Sequence, residues 1–151
     1  MKKAILGVIV VLFLGVVMGR VMYQKVSDIY ALDDDNIIYL LQLGVYNNKK
    51  DIDNNTKGID NKLIIKDKSN YYVYVGISKS KSNLEKISKI YNNLGYNLYL
   101  KETTNNNDTF LSNLENFDKM LKLAKTKDEI LAINAVILSS YEEIVLKKWI
   151  L

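Results

Sequence analysis

Tyr39-Leu-Leu-Gln-Leu-Gly-Val-Tyr46 and Tyr71-Tyr-Val-Tyr-Val-Gly-Ile-Ser78 are two versions of one phrase, Gly44 of the first answering to Gly76 of the second. Each is an apolar, aromatic-rich run leading into a glycine, which is how a strand entering a turn is written. Each is followed by a polar stretch, a further glycine and another apolar run. After the second phrase, Leu84, Ile87, Ile90, Tyr91 and Leu94 form one apolar face at helical spacing. Gly95 stops that helix, and Tyr96–Lys101 reads as the last strand. After the first phrase the helix is poor: Asn47 to Lys57 offers only Ile52 as an apolar residue, Gly58 ends it, and Leu63-Ile-Ile65 is the strand that follows. The order β-α-β-β-α-β predicts an α+β fold, a ferredoxin-like split βαββαβ unit over residues 36–102. Two helices would lie on one face of a four-stranded antiparallel sheet of order 4-1-3-2, leaving the other face open.

N-terminal to this unit, every residue from Ala4 to Gly19 is apolar or glycine, behind Lys2 and Lys3. With Val21 and Met22 the run reaches the short end of a membrane span, so residues 1–22 read as a transmembrane anchor. A cleaved signal peptide is the competing reading, but there is no A-x-A site and the run is long for a signal core. The lysine flank keeps the N-terminus cytoplasmic and predicts a single-pass protein of the cell membrane with its body extracytoplasmic. Gly15-x-x-x-Gly19 is a weak helix-packing signal within the span. Residues 23–35 form a juxtamembrane linker that ends in Asp33-Asp-Asp35, a solvated turn.

Composition narrows the function. The 151 residues contain no cysteine, histidine or proline. Thiolate nucleophiles, disulfides, the usual zinc sites and imidazole-based catalysis are therefore excluded. Lys and Arg number 21 against 17 Asp and Glu; without Lys2 and Lys3 the balance is close to neutral, which argues against nucleic acid. Asp51, Asp53 and Asn55 have the first spacings of a calcium loop, but Gly58 falls too late and Lys62 stands where the loop needs glutamate. Nothing brings Glu85 and Glu102 together as a glycosidase pair. The expectation is a binding protein, not an enzyme, with no metal and no cofactor.

The run Leu41-Gln42-Leu43-Gly44-Val45-Tyr46, with Tyr74-Val75-Gly76-Ile77-Ser78 and Gly95-Tyr-Asn-Leu-Tyr-Leu100, resembles a SPOR domain. The resemblance covers residues 36–102 and implies binding of peptidoglycan glycan strands, preferentially those stripped of stem peptides, in bacterial division or sporulation. It also implies that the family's first-strand glutamine is Gln42. Two features depart from the pattern: the first helix is short and lacks the usual alanines and leucines, and Ile77 stands where many members have proline. Alternation along the strands places Gln42 on one face with Tyr72 and Tyr74, and with Asn97, Tyr99 and Lys101, whereas Val73 and Val75 turn to the helices. In strand order 4-1-3-2, Gln42 then lies between Tyr74 and Tyr99. Tyrosine rings cover the apolar faces of pyranoses, and an amide both donates to and accepts from hydroxyl and N-acetyl groups. The candidate ligand residues are Gln42, Tyr72, Tyr74, Asn97 and Tyr99.

Residues 103–151 have no counterpart in that unit and read as a helical hairpin. Asn105-Asn-Asn107 is a turn, Asp108 or Thr109 a cap, and Phe110, Leu114, Phe117, Leu121 and Ala124 one apolar stripe. Thr126-Lys-Asp-Glu129 has the form of a capping box, opening a second helix with Leu131, Ala135, Leu138, Tyr141, Val145 and Trp149 on its stripe. These faces must meet each other, the sheet or another protein, and Trp149-Ile-Leu151 is expected to dock. A membrane-anchored scaffold that recruits a protein partner, or itself, through residues 108–151 without glycan binding is the second reading.

Overall fold

Alternating apolar residues write the sheet, and its strands lie where the two phrases predict. The computed structural model of the protein describes residues 36–147. The expected anchor (1–22), the linker (23–35) and Trp149-Ile-Leu151 lie outside the described residues. Among those described, no helix is long and apolar enough to cross a membrane.

The fold is α+β, with a four-stranded antiparallel sheet and four helices. In chain order the elements are β1 (Ile37–Tyr46), α1 (Lys49–Asn55), β2 (Leu63–Asp67), β3 (Asn70–Ser78), α2 (Lys81–Asn92), β4 (Tyr99–Thr104), α3 (Asp108–Leu123) and α4 (Lys127–Tyr141), which ends in a π-helical turn over Glu142–Leu146. The strand order is β2-β3-β1-β4. The helix after β1 is short because the sequence supplies it with a single apolar residue. Asn48 caps it by accepting from the Asp51 N–H, and Ile52 alone is buried.

The β4 strand begins three residues later than the sequence suggests, at Tyr99 instead of Tyr96. Two features explain this. The Tyr96 hydroxyl donates to the Lys57 carbonyl and holds the preceding loop against the connection after α1. The β1–β4 ladder also stops at Gln42–Tyr99, because β1 is irregular from there on. The pairs Leu41–Gly76, Gln42–Tyr74 and Gly44–Val73 skip Leu43 on one strand and Val75 on the other, two bulges that cancel and restore the register.

On one face, Gly76 lies under α2. A Cβ there would meet Leu41 Cδ1 at 3.2 Å and Leu84 Cδ2 at 3.3 Å, so glycine lets the helix approach the sheet. Leu84, Ile87 and Tyr91 are the buried residues of α2's apolar face, and Gly95 terminates the segment at φ +89°.

The opposite face is not left open. α4 packs against β3, and the Asn134 Nδ2 donates to the Val75 carbonyl at 2.8 Å. That carbonyl belongs to the bulged residue, and β2 already ends opposite Tyr74, so it has no ladder partner on either side. Tyr141 lies near Tyr74 and meets Phe110 edge-on at 5.1 Å. The hairpin and sheet thus share one core that includes Ile38, Leu40, Tyr74 and Ile77 with Phe110, Leu114, Leu121 and Ile137.

Asn107, not Asp108 or Thr109, caps α3: its side chain accepts from the Phe110 N–H. Thr126 and Glu129 form the full capping box at the start of α4. The buried face of α4 is Ile130, Asn134, Ile137, Leu138 and Tyr141, rotated from the expected stripe, with Leu131 and Ala135 on its flank.

Candidate functional site

The register puts Gln42 of β1 directly opposite Tyr74 of β3 on one side and Tyr99 of β4 on the other. Directly paired residues in antiparallel strands share a face, so the three side chains project together, away from α2. Tyr72 lies on the same face, paired with Ile65 of β2, and Lys101 lies there opposite Leu40. Four of the five predicted ligand residues are therefore on one surface. The fifth, Asn97, is exposed but sits in the connection before β4, outside the paired strand.

Burial divides these residues. Tyr74 is 4% exposed, held down where the hairpin meets the sheet, and can offer a ligand little beyond its hydroxyl. Gln42 and Tyr72 are half-buried, and Tyr99 is 65% exposed. The surface a ligand could reach is thus a strip running from Tyr99 over Gln42 to Tyr72, bounded on one side by the buried Tyr74.

Lys101 was not among the predicted ligand residues, although its period-2 relation to Tyr99 placed it on this face. Its side chain crosses β1. The Nζ lies 5.3 Å from the centre of the Tyr72 ring and 5.9 Å from that of Tyr74, and it donates to the Tyr74 hydroxyl at 3.4 Å. A lysine on an edge strand normally extends into water. Here two π faces on the far strand hold the ammonium over the middle of the sheet.

Two other polar clusters are structural. Asp118 of α3 accepts from the Ser78 hydroxyl, from the Lys79 N–H at 2.8 Å and from Asn83 Nδ2 at 3.0 Å, clamping the hairpin to the β3–α2 connection. Burial raises its pKa above the ordinary carboxylate value, and those hydrogen bonds offset only part of the rise. A cleft of about 760 Å³ opens where β4 runs into α3, lined by Asn105, Asn107, Tyr141 and Val145 among others. Its asparagines already serve the fold. Asn105 accepts from the Asn107 N–H, and Asn107 caps α3 and donates to the Ile144 carbonyl. Among the described residues no cluster of carboxylates could hold a metal ion. No family model, curated protein or solved structure matches the chain.

Proposed function

We propose that this is a membrane-anchored, wall-facing protein of bacterial division or sporulation that binds peptidoglycan glycan strands through a ferredoxin-like, SPOR-like unit. The observation that carries the reading is Gln42 in direct register with the exposed Tyr99 on one side and the buried Tyr74 on the other, at the border of the part of the sheet that the hairpin leaves uncovered. Tyr99 supplies a stacking surface, Gln42 the directional hydrogen bonds and Tyr72 a second aromatic boundary. Lys2 and Lys3 ahead of the apolar run favour a body outside the cytoplasm.

Cosedimentation of the 33–151 fragment with purified sacculi, before and after amidase treatment, tests this. Binding that rises when stem peptides are removed supports it, and no binding in either case refutes it. Protease added to intact protoplasts tests the topology: the body should be digested, and a protected body would place it on the wrong side.

One observation favours the scaffold reading. The outer side of the hairpin leaves Met120, Leu123 and Val136 at least half exposed, beside a shallow groove of about 430 Å³ lined by Phe117, Ala135, Val136 and Ile144. A partner helix could use such a surface. Retention of a partner by a chain that fails to bind sacculi would establish that reading over the first.

A further inference from the structure

We infer that Lys101 makes the strip selective for an acidic sugar, pairing its ammonium with a carboxylate carried on a pyranose ring. The inference rests on the glycan-binding reading and names the chemical class of that ligand. The Nζ is held above two tyrosine rings, 5.3 and 5.9 Å from their centres, and its side chain crosses the strand that carries Gln42. Glu102, its acidic neighbour in sequence, alternates to the opposite face. Among the described residues no carboxylate is paired with Lys101.

The strip therefore presents one fixed positive charge among aromatic rings and an amide. Tyrosine faces attract the cation without neutralising it and displace part of its water, which leaves it ready to accept an anion. A neutral sugar chain over Gln42 and Tyr99 would leave that charge without a counter-ion. A chain bearing a carboxylate on one of its rings would pair it while another ring stacks on Tyr99. A phosphate polymer would call for a cluster of cations, and among the described residues this strip presents Lys101 alone. Wall glycan free of peptide carries such a carboxylate on alternate sugars, as the lactyl group of muramic acid.

The test measures equilibrium binding of the full chain in detergent to three probes: peptide-free glycan strands, the same strands with their carboxylates converted to methylamides, and chitohexaose. The wild type should bind the native strands about tenfold more tightly than either neutral probe, the size expected of one charge-assisted hydrogen bond. Lys101→Gln should bring all three affinities level in a protein that still unfolds cooperatively, with only the small loss of melting temperature expected from its cation–π contacts, and Lys101→Arg should restore the preference. Equal binding of native and amidated strands by the wild type would overturn the acidic-sugar assignment while leaving glycan binding intact. A preference that survives in Lys101→Gln would show that the carboxylate is read elsewhere and overturn the role of Lys101. Failure to bind any probe would refute the glycan reading, and this inference with it.

Discussion

On the sheet face turned away from α2, Ile38, Leu40, Tyr74 and Ile77 are almost fully buried in the core shared with the hairpin, whereas Gln42, Tyr72, Tyr99 and Lys101 reach solvent. Both groups are written in the same alternating pattern. What separates them is the reach of the hairpin. Where it packs, a tyrosine becomes core; where it does not, a tyrosine two strands over is 65% exposed. An aromatic residue on a sheet is thus not a ligand platform by virtue of its strand position, and the same side chain serves either purpose according to what covers it.

The comparison breaks first at the hairpin. Phe110 is fully buried against Tyr141, and Phe110→Ala should destabilise the protein by about 3–5 kcal/mol, the range for a large aromatic removed from a packed core. Denaturant titration checks this. A loss below about 1 kcal/mol, within the range of surface substitutions, would mean that the hairpin is only loosely seated.

Asn134→Ala comes next. It removes the donor to the Val75 carbonyl and leaves a buried acceptor unpaired, which should cost about 1–3 kcal/mol. The side chain's own Oδ1 has no partner, so the donated bond is the one at stake. Asn134→Asp, which keeps the shape but loses the donor, should be at least as damaging; a neutral outcome for both would show that the bulge does not need the hairpin.

Asp118 sharpens the comparison through pH. Its folded-state pKa is raised, so the folded protein holds this proton more tightly than the unfolded chain does. The favourable contribution is complete below the unfolded carboxylate pKa and is lost as the pH rises through the higher folded value. Chemical denaturation across the acid range should show this decline superimposed on the other titrating groups, and Asp118→Asn should remove it. An unchanged pH profile in the variant would place the shift elsewhere.

The smallest effect on stability belongs to the solvent-facing group. Gln42→Ala trims a half-buried residue on the uncovered strip and should change stability by no more than about 0.5 kcal/mol. It should nevertheless weaken sacculus binding roughly five- to tenfold for each hydrogen bond lost. Tyr74→Ala should show the reverse profile, a large loss of stability, because its ring belongs to the core. Equal sacculus binding by wild type and a folded Gln42→Ala protein would remove the strip as the site.

Much of this was legible in the chain. The four strands, their order, the weak first helix with Ile52 as its only apolar anchor, the Gly95 stop and the Thr126–Glu129 capping box follow from periodicity and local hydrogen-bonding chemistry. The side-by-side placement of Tyr74, Gln42 and Tyr99 was legible for the same reason, since a period of two and a strand order suffice to derive it. The paired bulges at Leu43 and Val75 were not, because neither residue carries a mark that distinguishes it from its neighbours. The buried side of α4 was not either. From Ile130 to Leu138 that helix is apolar almost all round, and the polar residue among them, Asn134, sits in the middle of the buried face instead of marking the outer one.

By itself, then, the sequence determined what is local: which segments become strands and helices, where they stop, and which side chains share a strand face. Those properties depend on alternation, helical spacing and caps within a few residues. Only the tertiary structure decided that the hairpin seals part of the sheet face, that Asn134 completes the ladder at Val75, that Tyr74 is core while Tyr99 is surface, and that Lys101 folds back across β1 onto two tyrosines. Each of these joins residues far apart in the chain, and an exposed strand edge, an unpaired carbonyl or a free aromatic face exists only once the elements have packed.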